Sequence, residues 1–176
     1  MLKKEARILG ISTTAHRNGT ALVVGAVFRG RSWLDGVLTC WIESETARPL
    51  SKISRTIMSS RQYSQLHAVI LAKEQIVSDL EINITELARR VKLPVISIIK
   101  KRAATKGSKK PFRTNHYELE VNGERLQVLA KGISREKTQE LFALTSTPKS
   151  SIPEAARVAD LIAEQVTLKW NSLGLP

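Results

Sequence analysis

Cysteine, acidic residues and aromatics are all scarce in this chain of 176 residues. Cys40 is the only cysteine, which excludes a disulfide framework and any thiolate-based metal cluster. His16, His67 and His116 are the only histidines and are too scattered to match metal-ligand spacing. No apolar run approaches the ~20 residues of a membrane-spanning helix. The start, Met1-Leu2-Lys3-Lys4-Glu5, leads into an apolar strand without the pattern of a signal peptide. A cytoplasmic protein with no membrane partner is therefore expected. Ser12 and His16 do not make a nucleophile–base pair, because nothing nearby supplies an orienting acid or an oxyanion hole.

Acids are the most telling shortage, 16 against 28 Lys and Arg, for a formal net charge of +12. The excess is concentrated. The segment 100–113 holds Lys100, Lys101, Arg102, Lys106, Lys109, Lys110 and Arg113 and no acid, more than half of the net charge. Clustered like charge repels itself unless an anionic surface neutralises it, so a nucleic-acid partner is expected there. Gly107-Ser108 predicts a loop that orders on RNA or DNA. Otherwise the composition is globular, 42% apolar and 25% charged. With no internal repeat and no clear boundary, residues 1–176 read as one domain carrying a basic loop at 100–113.

The order of elements is informative. Residues 6–12 and 20–28 read as buried strands joined near Asn18-Gly19, and 35–45 as a third. In that third strand Val37, Thr39, Trp41 and Glu43 alternate with Leu38, Cys40 and Ile42. The period then changes. Residues 48–60 place Leu50, Ile53 and Ile57 at helical spacing, with Pro49 in the first turn. A strand at 66–72, a helix at 79–91 and a strand at 93–99 follow. Asn122-Gly123 predicts a tight hairpin between 116–121 and 125–130. Ser134 caps a helix to about Leu144, and Ser151-Ile152-Pro153-Glu154 reads as the capping box of a last helix. Three antiparallel strands followed by αβαβ, with right-handed crossovers, predict a ribonuclease H-like α/β domain. Its five-stranded mixed sheet would be followed by a C-terminal hairpin and two helices.

Several stretches then carry a family resemblance. They are Arg7-Ile8-Leu9-Gly10-Ile11, Val23-Val24-Gly25-Ala26-Val27-Phe28-Arg29-Gly30 and Trp33-Leu34-Asp35-Gly36-Val37-Leu38. Ser60-Arg61-Gln62-Tyr63-Ser64-Gln65-Leu66, Leu93-Pro94-Val95-Ile96 and Ile152-Pro153-Glu154-Ala155-Ala156-Arg157 join them. Taken together the chain resembles the archaeal endonuclease V-like family over nearly its whole length. The resemblance implies a ribonuclease H-like fold and metal-dependent cleavage of deaminated or single-stranded nucleic acid. It also implies an aspartate where this chain has Ser12, a second where it reads Leu71-Ala72-Lys73, and a third near Asn83.

Phosphodiester cleavage of that kind uses carboxylates to hold divalent ions, and magnesium demands hard anionic oxygens. Ser12, Ala72 and Asn83 supply none, and Lys73 adds a positive charge. The reading is thus a degenerate, non-catalytic nuclease fold that binds nucleic acid and needs no cofactor, with RNA favoured over DNA and a ribonucleoprotein setting such as the ribosome. Its binding residues would be Arg29, Arg31 and Lys73 together with the seven of the basic segment. Phe112 and His116 either stack on bases or pack at the hairpin, and Trp33 accompanies the Arg29–Arg31 patch. Two alternatives stand beside this reading. The first is an active Mg²⁺-dependent endonuclease with relocated ligands drawn from Asp35, Glu74, Asp79 and Glu81. Against it, Asp35 suits a local backbone cap, and Asp79 and Glu81 suit a helix's first turn. The second is a protein-interaction subunit that docks through Trp170, Leu173 and Leu175.

Overall fold

Two continuous apolar runs and a third, partly exposed one form an antiparallel meander of β1 (Arg7–Thr13), β2 (Thr20–Arg29) and β3 (Trp33–Glu43). A computed structural model describes residues 5–14, 19–43, 48–73, 75–77, 80–99 and 115–173. β1 and β2 are buried on both faces, so they read as continuous apolar runs. β3 lies at the sheet's edge and starts two residues earlier than its pattern suggests. Its register shifts opposite Val27 and Phe28, leaving Asp35 as the extra residue of a bulge.

The chain then forms α1 (Pro49–Met58), β4 (Leu66–Leu71), the short strands β5 (Gln75–Val77) and β6 (Leu80–Glu81), α2 (Ile84–Val91) and β7 (Val95–Ile99). β4 runs parallel to β1, and β7 parallel to β4. The hairpin of β8 (Asn115–Val121) and β9 (Glu124–Lys131) turns at Asn122 and Gly123, both at positive φ as a two-residue turn requires. It does not stand apart. β9 pairs with β7 and extends the sheet to seven strands in the order β3-β2-β1-β4-β7-β9-β8. Its first five strands are the ribonuclease H-like arrangement. α3 (Arg135–Thr145), capped by Ser134 as its sequence suggests, and α4 (Glu154–Ser172) complete the chain. Among the described residues no helix is long and apolar enough to cross a membrane.

Two helix starts depart from expectation. The helix expected over 79–91 begins only at Ile84, because the Asn83 side chain accepts the Glu86 amide at 3.0 Å and caps it there. Glu81 therefore falls in β6, outside the helix's first turn, and Asp79 lies outside the described residues. The Ser151–Glu154 capping box does not form either. Proline at 153 disfavours helical geometry at Ile152, so α4 starts at Glu154 with Pro153 at its N-cap. Ser151 instead donates its hydroxyl to Glu124, and Glu154 accepts two bonds from Arg157.

The sheet separates two apolar layers. Leu9, Ile11, Val23, Ile53 and Leu87 pack on the α1–α2 side, and Ile8, Ile70, Ile96, Leu141 and Phe142 on the α3–α4 side. Cys40 packs on the first side, where burial pushes its thiol up from the ordinary value and keeps it an inert packing group. On the second side α4 comes unusually near the sheet. A Cβ on Gly10 would fall 2.0 Å from the Ala155 carbonyl carbon, and Ala155, Ala156, Ala159 and Ala163 are all buried there.

Gly10→Ala is expected to destabilise the fold by about 3 kcal/mol or more, since backbone rather than a flexible side chain blocks the methyl. Gly123→Ala meets open space and should cost only about 1–2 kcal/mol from its positive φ. Urea unfolding of both variants checks this, and equal destabilisation would contradict the close approach of α4.

Candidate functional site

The parallel pairing of β1 with β4 brings their C-terminal ends together. Ile11 lies opposite Leu71, and the Ala72 amide donates to the Ile11 carbonyl at 2.8 Å. Ser12 and Ala72 are thus side by side, both buried. α4 passes over them, and the close contact at Gly10 delivers Asp160 to the same place. The Ser12 hydroxyl donates to Asp160 Oδ1 at 2.7 Å, and Lys73 Nζ lies 2.8 Å from the same oxygen. One carboxylate oxygen therefore takes a buried hydroxyl and an ammonium group at once.

Asp160 is the residue of this candidate site that sequence reasoning missed. Its signal was present: it falls on the helical stripe of Ala156, Ala159 and Ala163, an acid at a buried register. Next to it opens a cleft of about 170 Å³ between α4 and the ends of β4 and β7. Ala72, Ile98, Ile152 and Ala156 form its apolar wall, with Arg157, Asp160 and Glu164 around it. Arg157 is held by two 2.8 Å bonds to Glu154, which raise its guanidinium above the ordinary arginine value.

The fold's implied divalent metal does not suit this donor set. A magnesium site wants several anionic oxygens, whereas here a serine and an alanine flank one carboxylate already matched to an ammonium. Among the described residues no three His, Cys, Asp or Glu side chains cluster closely enough to hold a metal ion.

The other expected site residues separate. Lys73 is committed to Asp160, and Asn83 is a helix cap. Arg29 stacks its guanidinium 5.6 Å from the centre of the Trp33 ring, with Arg31 exposed in the following turn. Arg29 pairs with Arg7 at the start of β1, whereas Ser12 is near its end, so this patch and the cleft occupy opposite ends of that strand. Asp35 is tied to Arg7 Nε at 2.6 Å rather than capping local backbone. His67 and His116 are exposed on β4 and β8. Trp170 packs edge-to-face on Trp41 at 5.1 Å. Lys100, Lys101, Arg102, Lys106, Lys109, Lys110, Phe112 and Arg113 lie outside the described residues, as do His16, Glu74 and Leu175. In sequence, the basic segment begins directly after Ile99, the last residue of β7, and so two residues beyond Ile98 in the cleft wall.

A family model described as endonuclease dU matches residues 4–167. A UPF0215 protein of Methanosarcina acetivorans is 35% identical over an alignment covering 92% of this chain and 91% of that protein. Among solved structures, a protein of unknown function from Archaeoglobus fulgidus superposes with a TM-score of 0.73 at 16% identity, covering 91% of this chain and 97% of that one. Ciona intestinalis endonuclease V, solved with a 24mer DNA containing an inosine followed by a ribo-adenosine, superposes with a TM-score of 0.61 at 12% identity. It covers 93% of this chain and 86% of its own. The fold is therefore that of the endonuclease V proteins.

Asp160→Ala leaves two donors without their acceptor, one of them fully buried, and is expected to cost about 2–4 kcal/mol. Ser12→Ala should cost about 1 kcal/mol, and less once Asp160 is already alanine. A double-mutant cycle by chemical denaturation measures that coupling, and strict additivity would show that the two side chains do not interact.

Proposed function

The chain belongs to the endonuclease dU family, and on that premise we propose that it binds nucleic acid without cleaving it. The observation that carries the reading is the engagement of Asp160 by both Lys73 and Ser12. The ammonium group satisfies the cleft's carboxylate where a nuclease of this fold would need a divalent ion, and no hydrolytic step is assigned to the residues present. Binding rests on the basic segment, with Lys100, Lys101, Arg102, Lys106, Lys109, Lys110 and Arg113 neutralising phosphates and releasing counterions. Arg29 and Arg31 add a separate patch. RNA is the favoured partner, within a ribosome or another ribonucleoprotein assembly, because a stable contact with RNA requires charge but no metal-holding acids.

A second reading, a subunit that docks on protein, draws on the exposed Leu34, Val37 and Trp41 along the edge strand β3 and on exposed Leu173 beside Trp170. Copurification with and without nuclease treatment separates the two. Partners that persist after treatment favour the second.

Calorimetry with Mg²⁺ or Mn²⁺ should show no binding, and DNA and RNA carrying deoxyuridine or inosine should remain intact. Metal-dependent cleavage that disappears on replacing Asp160 or Glu164 would reject the non-catalytic reading. Installing Ser12→Asp, Ala72→Asp and Lys73→Gly together should create divalent-ion binding. Replacing Lys100, Lys101, Arg102, Lys106, Lys109 and Lys110 with alanine should flatten the salt dependence of single-strand binding, by about 0.7 in log–log slope for each phosphate no longer neutralised. An unchanged slope would remove the segment from the binding surface.

A further inference from the structure

Ala72, just past the end of β4, leaves space beside α4. Ala72 and Ala156 present only methyl groups to the cleft, and with Ile98 and Ile152 they form an apolar wall. At about 170 Å³ the cleft has the volume of five or six waters at ~30 Å³ each, the size class of a nucleobase. Beside Asp160, which Ser12 and Lys73 engage, two further polar groups border the cleft. Arg157 is fixed by its paired bonds to Glu154, which hold the guanidinium plane in one orientation. Glu164 lies one helical turn beyond Asp160 on the same side of α4 and has no hydrogen-bond or ion-pair partner among the described residues.

We propose that this cleft is a base subsite selective for guanine in single-stranded nucleic acid. The proposal rests on the nucleic-acid-binding reading and goes beyond it by naming the base. The apolar wall takes one part of the ring surface, and a planar guanidinium is a stacking surface for the rest. Selectivity comes from Glu164, because an ionised carboxylate only accepts hydrogen bonds and therefore seeks two adjacent donors. Guanine offers N1–H beside its 2-amino group. Adenine and cytosine place a ring acceptor next to their amino group. Uracil and hypoxanthine present a single N–H next to carbonyl oxygen or C–H. An acceptor facing a carboxylate is repelled, so these bases lose a bond or meet like partial charge. The preference is thus for a base bearing its amino group.

Fluorescence anisotropy of the full chain with short labelled oligouridylates, each carrying one central guanosine, inosine, adenosine or uridine, tests the inference. Guanosine and inosine differ at the purine only by the 2-amino group. The guanosine strand should bind roughly tenfold more tightly than the inosine strand, the loss expected for one charge-assisted hydrogen bond. Glu164→Gln changes an exposed side chain that the fold does not use. It should abolish that preference and leave the salt slope intact. Equal affinity for all four strands, or tighter binding of inosine, overturns the guanine subsite while leaving nucleic-acid binding in place. A preference that survives Glu164→Gln also overturns it. Absence of binding to every strand overturns both readings.

Discussion

The contact between α4 and β1 at Gly10 is the constraint on which the candidate site depends. No side chain, not even a methyl group, fits between that strand and the Ala155–Ala156 backbone. Small residues at 155, 156, 159 and 163 continue the close approach along the helix. Because no side chain at Gly10 holds the helix off, Asp160 comes down to the level of the strand ends and reaches Ser12. Helix position is thus set by close backbone packing first and by polar contacts second.

Magnitudes support that order. A fully buried leucine or isoleucine contributes about 1.5–3 kcal/mol, and Ile8, Leu9, Ile70 and Ile96 are among many here. Exposed ion pairs contribute about 0–1 kcal/mol. The Lys73–Asp160 pair lies between these limits in exposure, so its main effect is on local chemistry. It places a fixed positive charge against Asp160 and leaves that carboxylate matched. An ammonium group on a side chain cannot exchange, polarise a phosphate through open coordination positions or activate bound water as a divalent ion does.

The resemblance to endonuclease V proteins is one of backbone architecture, retained at 12% identity to the Ciona enzyme over most of both chains. Within that frame, the strand ends are locally satisfied. The buried Ser12 hydroxyl donates to Asp160, and Ala72 is a buried methyl group beside it. The positive charge has a separate distribution. The Arg29–Trp33 patch lies at the opposite end of β1 from the cleft.

Much of the architecture was legible in the chain itself. The continuous apolar runs at 6–12 and 20–28, the helical period after Pro49 and the Asn122-Gly123 turn each report a local preference, and local preferences survive folding when the core agrees with them. The density of charge at 100–113 was equally open to reading, because it depends on residue type alone. Tertiary structure decided the rest. Asn83 and Pro153 reset two helix starts by competing with backbone geometry, and β7 captured the hairpin as two further strands. Only folding brought Asp160 to Ser12, residues 148 positions apart, because that meeting depends on how near one helix backbone can come to a glycine in a strand. A linear pattern records which residues prefer the interior, but the distance between packed backbones emerges only when both surfaces are in place.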